Sequence, residues 1–166
     1  MIKELITYPD ERIKYVSADV RKFDDELFEL LENMHDTMAH HGLSAIAAIQ
    51  IAIPACAVVV SSEEGVMELI NPRIIATSGE STHEEESAYY PDFKAPIKRH
   101  DMIKVVYENR YGELCHANID GEFSRTLQRK IDMLFGGTLL DKLDKKRQKE
   151  AEKLLSKRIK KRWWPF

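Results

Sequence analysis

Twenty-one consecutive residues, Gly42–Ser62, carry no charge. A run of that length can cross the hydrocarbon core of a bilayer, so it is either a membrane helix or a segment enclosed by a folded domain. Three features separate the two. Pro54 falls inside the run, Gln50 brings an amide into it, and Val58-Val59-Val60 is β-branched. Two short buried strands joined by a turn, near Ile46–Ile51 and Ala55–Val60, account for all three, and no membrane association is expected.

The remaining elements follow from periodicity and turn residues. Asp24 or Asp25 is placed to cap a helix reaching about His40, with Leu27, Leu30, Leu31, Met34 and Met38 as its apolar stripe. Met67–Ile70 reads as a strand ended by Asn71-Pro72, and Ser78–Pro96 as loops with short strands. Asp101–Glu108 and Glu113–Ile119 form a hairpin around Asn109-Arg110-Tyr111-Gly112. Ser124–Leu140 is helical, with Leu127, Ile131 and Leu134 on one side, and a last helix spans about Asp144–Arg162 before Trp163-Trp164-Pro165-Phe166.

The chain's 166 residues suit one core, and its two cysteines, Cys56 and Cys115, make no disulfide framework. With no apolar segment in MIKELITYPDERIK, the expected location is cytoplasmic. Charge is unevenly spread. Residues 142–162 hold 11 Lys/Arg against 3 Asp/Glu, a net of +8, and the rest of the chain carries −11. An acidic body with a basic tail points to a polyanionic partner; a merely solvated helix is the alternative.

Residues 128–143, QRKIDMLFGGTLLDKL, carry the most specific pattern. The segment resembles, without a gap, the peptide deformylase motif Q-H-E-x-D-H-L-x-G-x-L-F-x-D-R-L, with Gln128, Asp132, Leu134, Gly136, Asp141 and Leu143 in agreement. Pro9-Asp10-Glu11-Arg12 is similar to that family's P-D-x-R-L segment, and Leu69-Ile70-Asn71-Pro72 to its L-I-N-P. Leu43–Gln50 matches G-x-G-L-A-A-x-Q at Ala47, Ala48 and Gln50, with Leu43 and Ala45 replacing the glycines. Glu85–Pro91 falls on E-G-C-L-S-x-P. The resemblance implies an α+β fold: antiparallel strands packed around a central motif helix, plus a C-terminal basic helix. The division expected is a deformylase-like domain over 1–141 and a basic helix with an aromatic tail over 142–166.

In the family the motif helix supplies two metal-binding histidines and a catalytic glutamate, and the E-G-C segment a third ligand. The corresponding residues here are Arg129 and Met133, Lys130, and Ser87, or Ala88 with a one-residue shift. Arg stays protonated, and Ser and Met are poor ligands for a hard or borderline divalent ion. Lys130 would act as a base only if its pKa fell far below its ordinary value of about 10.4. No replacement ligand set is apparent: Cys115 and His116 are strand neighbours that point to opposite faces, and His40-His41 sits at a helix end, where it is read as solvated or capping. Glu85 or Glu86 is expected to pair with Arg129 or Lys130 in the space between them.

These residues lead to the expectation of a catalytically inactive, metal-free family member retaining Gln50. Its partner would be ribosomes or RNA, gripped by Lys145, Lys146, Arg147, Lys157, Arg158, Lys160, Lys161 and Arg162, with a nascent peptide as a further possible ligand. The alternative is a working deformylase-type hydrolase with an unusual site, using Fe, Ni or Zn and removing N-formyl groups from nascent chains.

Overall fold

A computed structural model describes the backbone of residues 1–163 and the side chains of residues 1–159. Five antiparallel strands form one sheet in the order β1 (Ala45–Ala47), β2 (Ala57–Ser62), β3 (Gly65–Ser87), β4 (Tyr90–Glu108) and β5 (Leu114–Asp120). Three α-helices accompany it: α1 (Asp25–His40), α2 (Gly121–Leu134) and α3 (Lys145–Trp163). The antiparallel α+β architecture expected from the sequence is the one observed.

The uncharged run is buried over Ala45–Ile51 and Cys56–Val60, where it is enclosed on both faces. Val59, Ala57 and Ile46 pack toward α1, while Val58, Ala47 and Ile49 pack into the cluster that holds α2. Of the first expected strand only Ile46 and Ala47 are extended, within β1; Ala48–Ile51 closes into a short 3-10 helix ended by Ala52 at φ 65. That turn lets Gln50 fold back so that its Oε1 accepts from the Ala47 N–H at 2.9 Å.

Helix α1 starts where Asp24 accepts from the Leu27 N–H at 3.3 Å, and it buries Leu27, Leu31, Met34 and Met38 at helical spacing. Helix α2 begins and ends earlier than periodicity indicated. Gly136 follows it at φ 79, where an added Cβ would lie 2.5 Å from the Lys14 carbonyl oxygen, so the helix terminates against the N-terminal segment at a position only glycine fits. Leu139–Lys142 is a separate 3-10 turn.

The largest departure from the sequence reading is the β3–β4 ribbon. Asn71-Pro72 does not end its strand: Asn71, at φ 51, sits in a bulge between the Ile70 and Arg73 registers, and pairing resumes beyond it. The expected loops at 78–96 are paired strands from Glu80↔His100 to Ser87↔Tyr90. Helix α3 seats Ala151 and Leu155 in the core and leaves most of its cations exposed. Among the described residues no helix is long and apolar enough to cross a membrane.

Candidate active site

Gln128 fastens α2 to β4: its Oε1 accepts from the His100 N–H at 3.1 Å and its Nε2 donates to the His100 carbonyl at 2.8 Å. The next residues along the helix are thereby presented to the 3-10 turn after β1 and to the end of β3. Lys130 is 5% exposed, and its Nζ donates to Gln50 Oε1 across 2.8 Å, with Met133 Sδ 4.0 Å away. Burial, with a smaller contribution from the Arg129 charge, draws the Lys130 ammonium down to about 7.

Gln50 is fully buried, and its orientation follows from its contacts. Oε1 accepts from both Ala47 and Lys130, so Nε2 is the opposite atom, and among the described residues that donor has no acceptor. Leaving it unpaired costs about 1–3 kcal/mol unless a ligand or water supplies the oxygen.

A charged network stands behind this pair. Glu85 Oε2 accepts from Arg99 Nε at 2.7 Å, and Arg99 Nη1 donates to Asp132 Oδ2 at 2.8 Å. Burial works to lower the Arg99 pKa, but the bonds to Glu85 and Asp132 outweigh it and hold the guanidinium charged. Arg129 Nη1 lies 3.3 Å from Glu85 Oε1, a charge contact without hydrogen-bond geometry. The expected pairing of Glu85 with Arg129 is therefore present. Glu86 instead faces outward to Lys94 at 2.9 Å, and Lys130 takes Gln50 rather than a carboxylate.

Ser87 is buried at the end of β3, where its Oγ accepts from the Tyr89 N–H at 3.2 Å. Burial keeps the Tyr89 phenol protonated, and its hydroxyl has no partner among the described residues. At the former glycine positions, Leu43 and Ala45 hold ordinary backbone conformations; neither has a positive φ, and β1 pairs regularly with β2. Arg99 was not singled out in the sequence, although its partner Asp132 belongs to the motif identities and marks the place to look.

Of the residues assigned to a polyanionic partner, Lys145, Lys146, Arg147 and Lys157 are exposed on α3. Arg158 is also exposed and donates to the Asp92 carbonyl at 3.0 Å. The side chains of Lys160, Lys161 and Arg162, and the terminal Trp164-Pro165-Phe166, lie outside the described residues.

A family model described as polypeptide deformylase matches residues 2–149. A peptide deformylase of Wolinella succinogenes is 35% identical over 162 residues, covering 93% of this chain and 95% of the relative. One of Campylobacter jejuni is 32% identical over 169 residues, covering 96% and 97%. Among solved structures, a peptide deformylase from Legionella pneumophila superposes with a TM-score of 0.89 at 25% identity, covering 99% of both chains. One from Ehrlichia chaffeensis in complex with actinonin gives 0.88 at 27%, covering 97% of both.

These matches correct the expectation of an inactive, metal-free member. The relatives run nearly end to end with this chain and carry the enzyme's name, and nothing in them marks an inactive branch. The condition set for Lys130 to act as a base is also met: burial lowers its pKa from 10.5 to about 7. The residues at the family's ligand positions do not themselves fit a divalent ion. Arg129 is cationic, Ser87 and Met133 are weak donors, and no group of three or more His, Cys, Asp or Glu is assembled among the described residues. The architecture is nonetheless that of the solved relatives, and the family model spans most of the chain: it belongs to the polypeptide deformylase family.

Proposed function

We propose that this protein is a deformylase-type amide hydrolase that removes the N-formyl group of a nascent peptide, working through an unusual site built on Gln50 and Lys130. The observation that carries the reading is the buried pair itself: a lysine amine held 2.8 Å from Gln50 Oε1, beside an amide Nε2 that has no acceptor among the described residues.

Hydrolysis of a formyl amide needs a donor for the developing oxyanion and a group that takes and returns a proton. Gln50 Nε2 donates to the formyl oxygen, and the fixed contacts of Oε1 keep it aimed without reorganisation. With a pKa of about 7, roughly half of Lys130 is neutral near pH 7. The neutral amine takes a proton from water as the hydroxide oxygen bonds to the formyl carbon. The ammonium then protonates the departing amine as the C–N bond breaks. Lys130 is then neutral again, and formic acid leaves the site and gives its proton to solvent. Arg99, tied to Glu85 and Asp132, fixes the helix that carries Lys130.

The family uses a metal ion, and no step here is routed through one because the ligand positions do not fit it. Helix α3 holds the protein at ribosomes or another RNA-rich partner in the cytoplasm. In support, Lys145, Lys146 and Arg147 crowd the helix N-terminus, where the macrodipole disfavours cations, so intrahelical stability does not explain them.

Hydrolysis of formyl-Met-Ala-Ser by the purified protein, with and without added Fe²⁺, Ni²⁺ or Zn²⁺, tests the reading. Lys130→Met should lower kcat by about 10²–10⁴-fold, the usual contribution of a positioned acid–base group. Background turnover under every condition, or an unaffected Lys130→Met variant, sinks the proposal.

A further inference from the structure

The two edges of the sheet differ in what they leave open. β1 is three residues long, whereas β5 runs seven residues, Leu114–Asp120, paired to β4 in continuous register with no bulge. A free edge of that length is usually blunted by a lysine, a proline, a bulge or a covering segment. β5 has none of the first three, and the backbone groups of Cys115–Ile119 bond only to β4 among the described residues. Its outward row of N–H and C=O groups can take another strand. Side chains alternate along it: His116, Asn118 and Asp120 are exposed on one face, while half-buried Ala117 and buried Ile119 join the core cluster on the other. None of the three exposed residues makes a side-chain hydrogen bond or ion pair among the described residues.

We infer that the β5 edge is a homodimer interface, in which a second copy of this chain pairs antiparallel about a two-fold axis at Asn118 and joins the two sheets into one. The sequence of the edge is complementary to itself in that register. His116 falls opposite Asp120 twice, Asn118 opposite its own copy, and Ala117 opposite Ile119 twice. Each imidazole meets a carboxylate it can donate to, the two carboxamides can each donate and accept, and apolar meets apolar on the inner face. Centring the axis on Ala117 would instead set Asp120 against Leu114, and centring it on His116 would set the two imidazoles against each other. Gly121, at φ 63, turns the chain into α2 directly after Asp120, so the pairing stops there and the helix does not stand in its way. Such an interface is isologous and closes on itself as a dimer. It is independent of the hydrolase reading.

Sedimentation velocity of the full chain from about 1 to about 200 µM tests this, with the parent expected to move to twice the monomer mass as concentration rises. Asn118→Lys puts two ammonium groups at the axis, each next to Lys104 of its own β4, and should weaken association by about tenfold or more. His116→Asp sets carboxylate against carboxylate at Asp120 and should do the same. Both positions are exposed, so the fold tolerates either change. Crosslinking checks the register. With Cys115→Ser as background, Asn118→Cys should give a disulfide-linked dimer under mild oxidation, because the axis brings the two sulfurs together; His116→Cys, which faces Asp120, should not. A parent that stays monomeric at the highest concentration, a dimer indifferent to both charge variants, or crosslinking at 116 as readily as at 118 overturns the inference. So does a dimer lost on reversing Lys145, Lys146, Arg147 and Lys157 to Glu, which would assign the contact to α3.

Discussion

Replacing Lys130 by Met should make the protein more stable at neutral pH while removing its activity. The lysine's ordinary value is 10.5, and inside the fold it is about 7. A depressed lysine pKa means that the unfolded chain binds more protons between those values, so stability rises with pH across that window. Below pH 7 the buried ammonium carries its full cost, roughly 4–5 kcal/mol at 1.36 kcal/mol per pH unit. Between pH 9 and pH 7 the cost grows by about 2 kcal/mol. Methionine has similar length and no charge to desolvate, and it gives up one hydrogen bond to Gln50 worth about 1 kcal/mol. Urea unfolding from pH 6 to pH 9.5 should show the variant more stable by about 2–4 kcal/mol at pH 6, with the difference closing as pH rises. Subtracting the two profiles cancels every other titrating group. Parallel profiles, or a variant less stable at pH 6, would refute the argument that desolvation sets the state of Lys130.

Arg99→Met leaves the Glu85 carboxylate buried with only the 3.3 Å contact to Arg129, and should destabilise the fold by about 3–5 kcal/mol in chemical denaturation. Reversing Lys145, Lys146, Arg147 and Lys157 to Glu should abolish co-sedimentation with ribosomes without lowering Tm; binding of the parent chain that does not weaken between 50 and 300 mM salt defeats the polyanion reading. That variant is a cleaner test than deleting residues 144–166, which would also remove Ala151 and Leu155 from the core.

Elements with one buried face were legible in the sequence, and those without one were not. The α1 stripe and the uncharged run carry their burial in their composition, because Leu31 and Met34, like Val58 and Val59, have no other place to go. Residues 75–80 have no such signature: they are exposed on both sides and are held as strand by backbone pairing to β4. The motif helix was recognisable from six identities, yet its chemistry was misjudged. What changes the Lys130 amine is enclosure by groups distant in sequence, including Gln50, eighty positions away. A substitution read along the chain keeps its solution properties; only the folded surroundings revise them.

The clamp of Arg99 on Glu85 and Asp132 has a bearing on how such a site can change over time. The pitch of α2 against the sheet is set by groups that take no part in bond breaking, and by Gln128 on His100. Residues on the reacting face can then be exchanged one at a time while the helix stays at its post. An evolving chain is thereby free to try new reactive groups at positions 129, 130 and 133 without first rebuilding the frame that aims them.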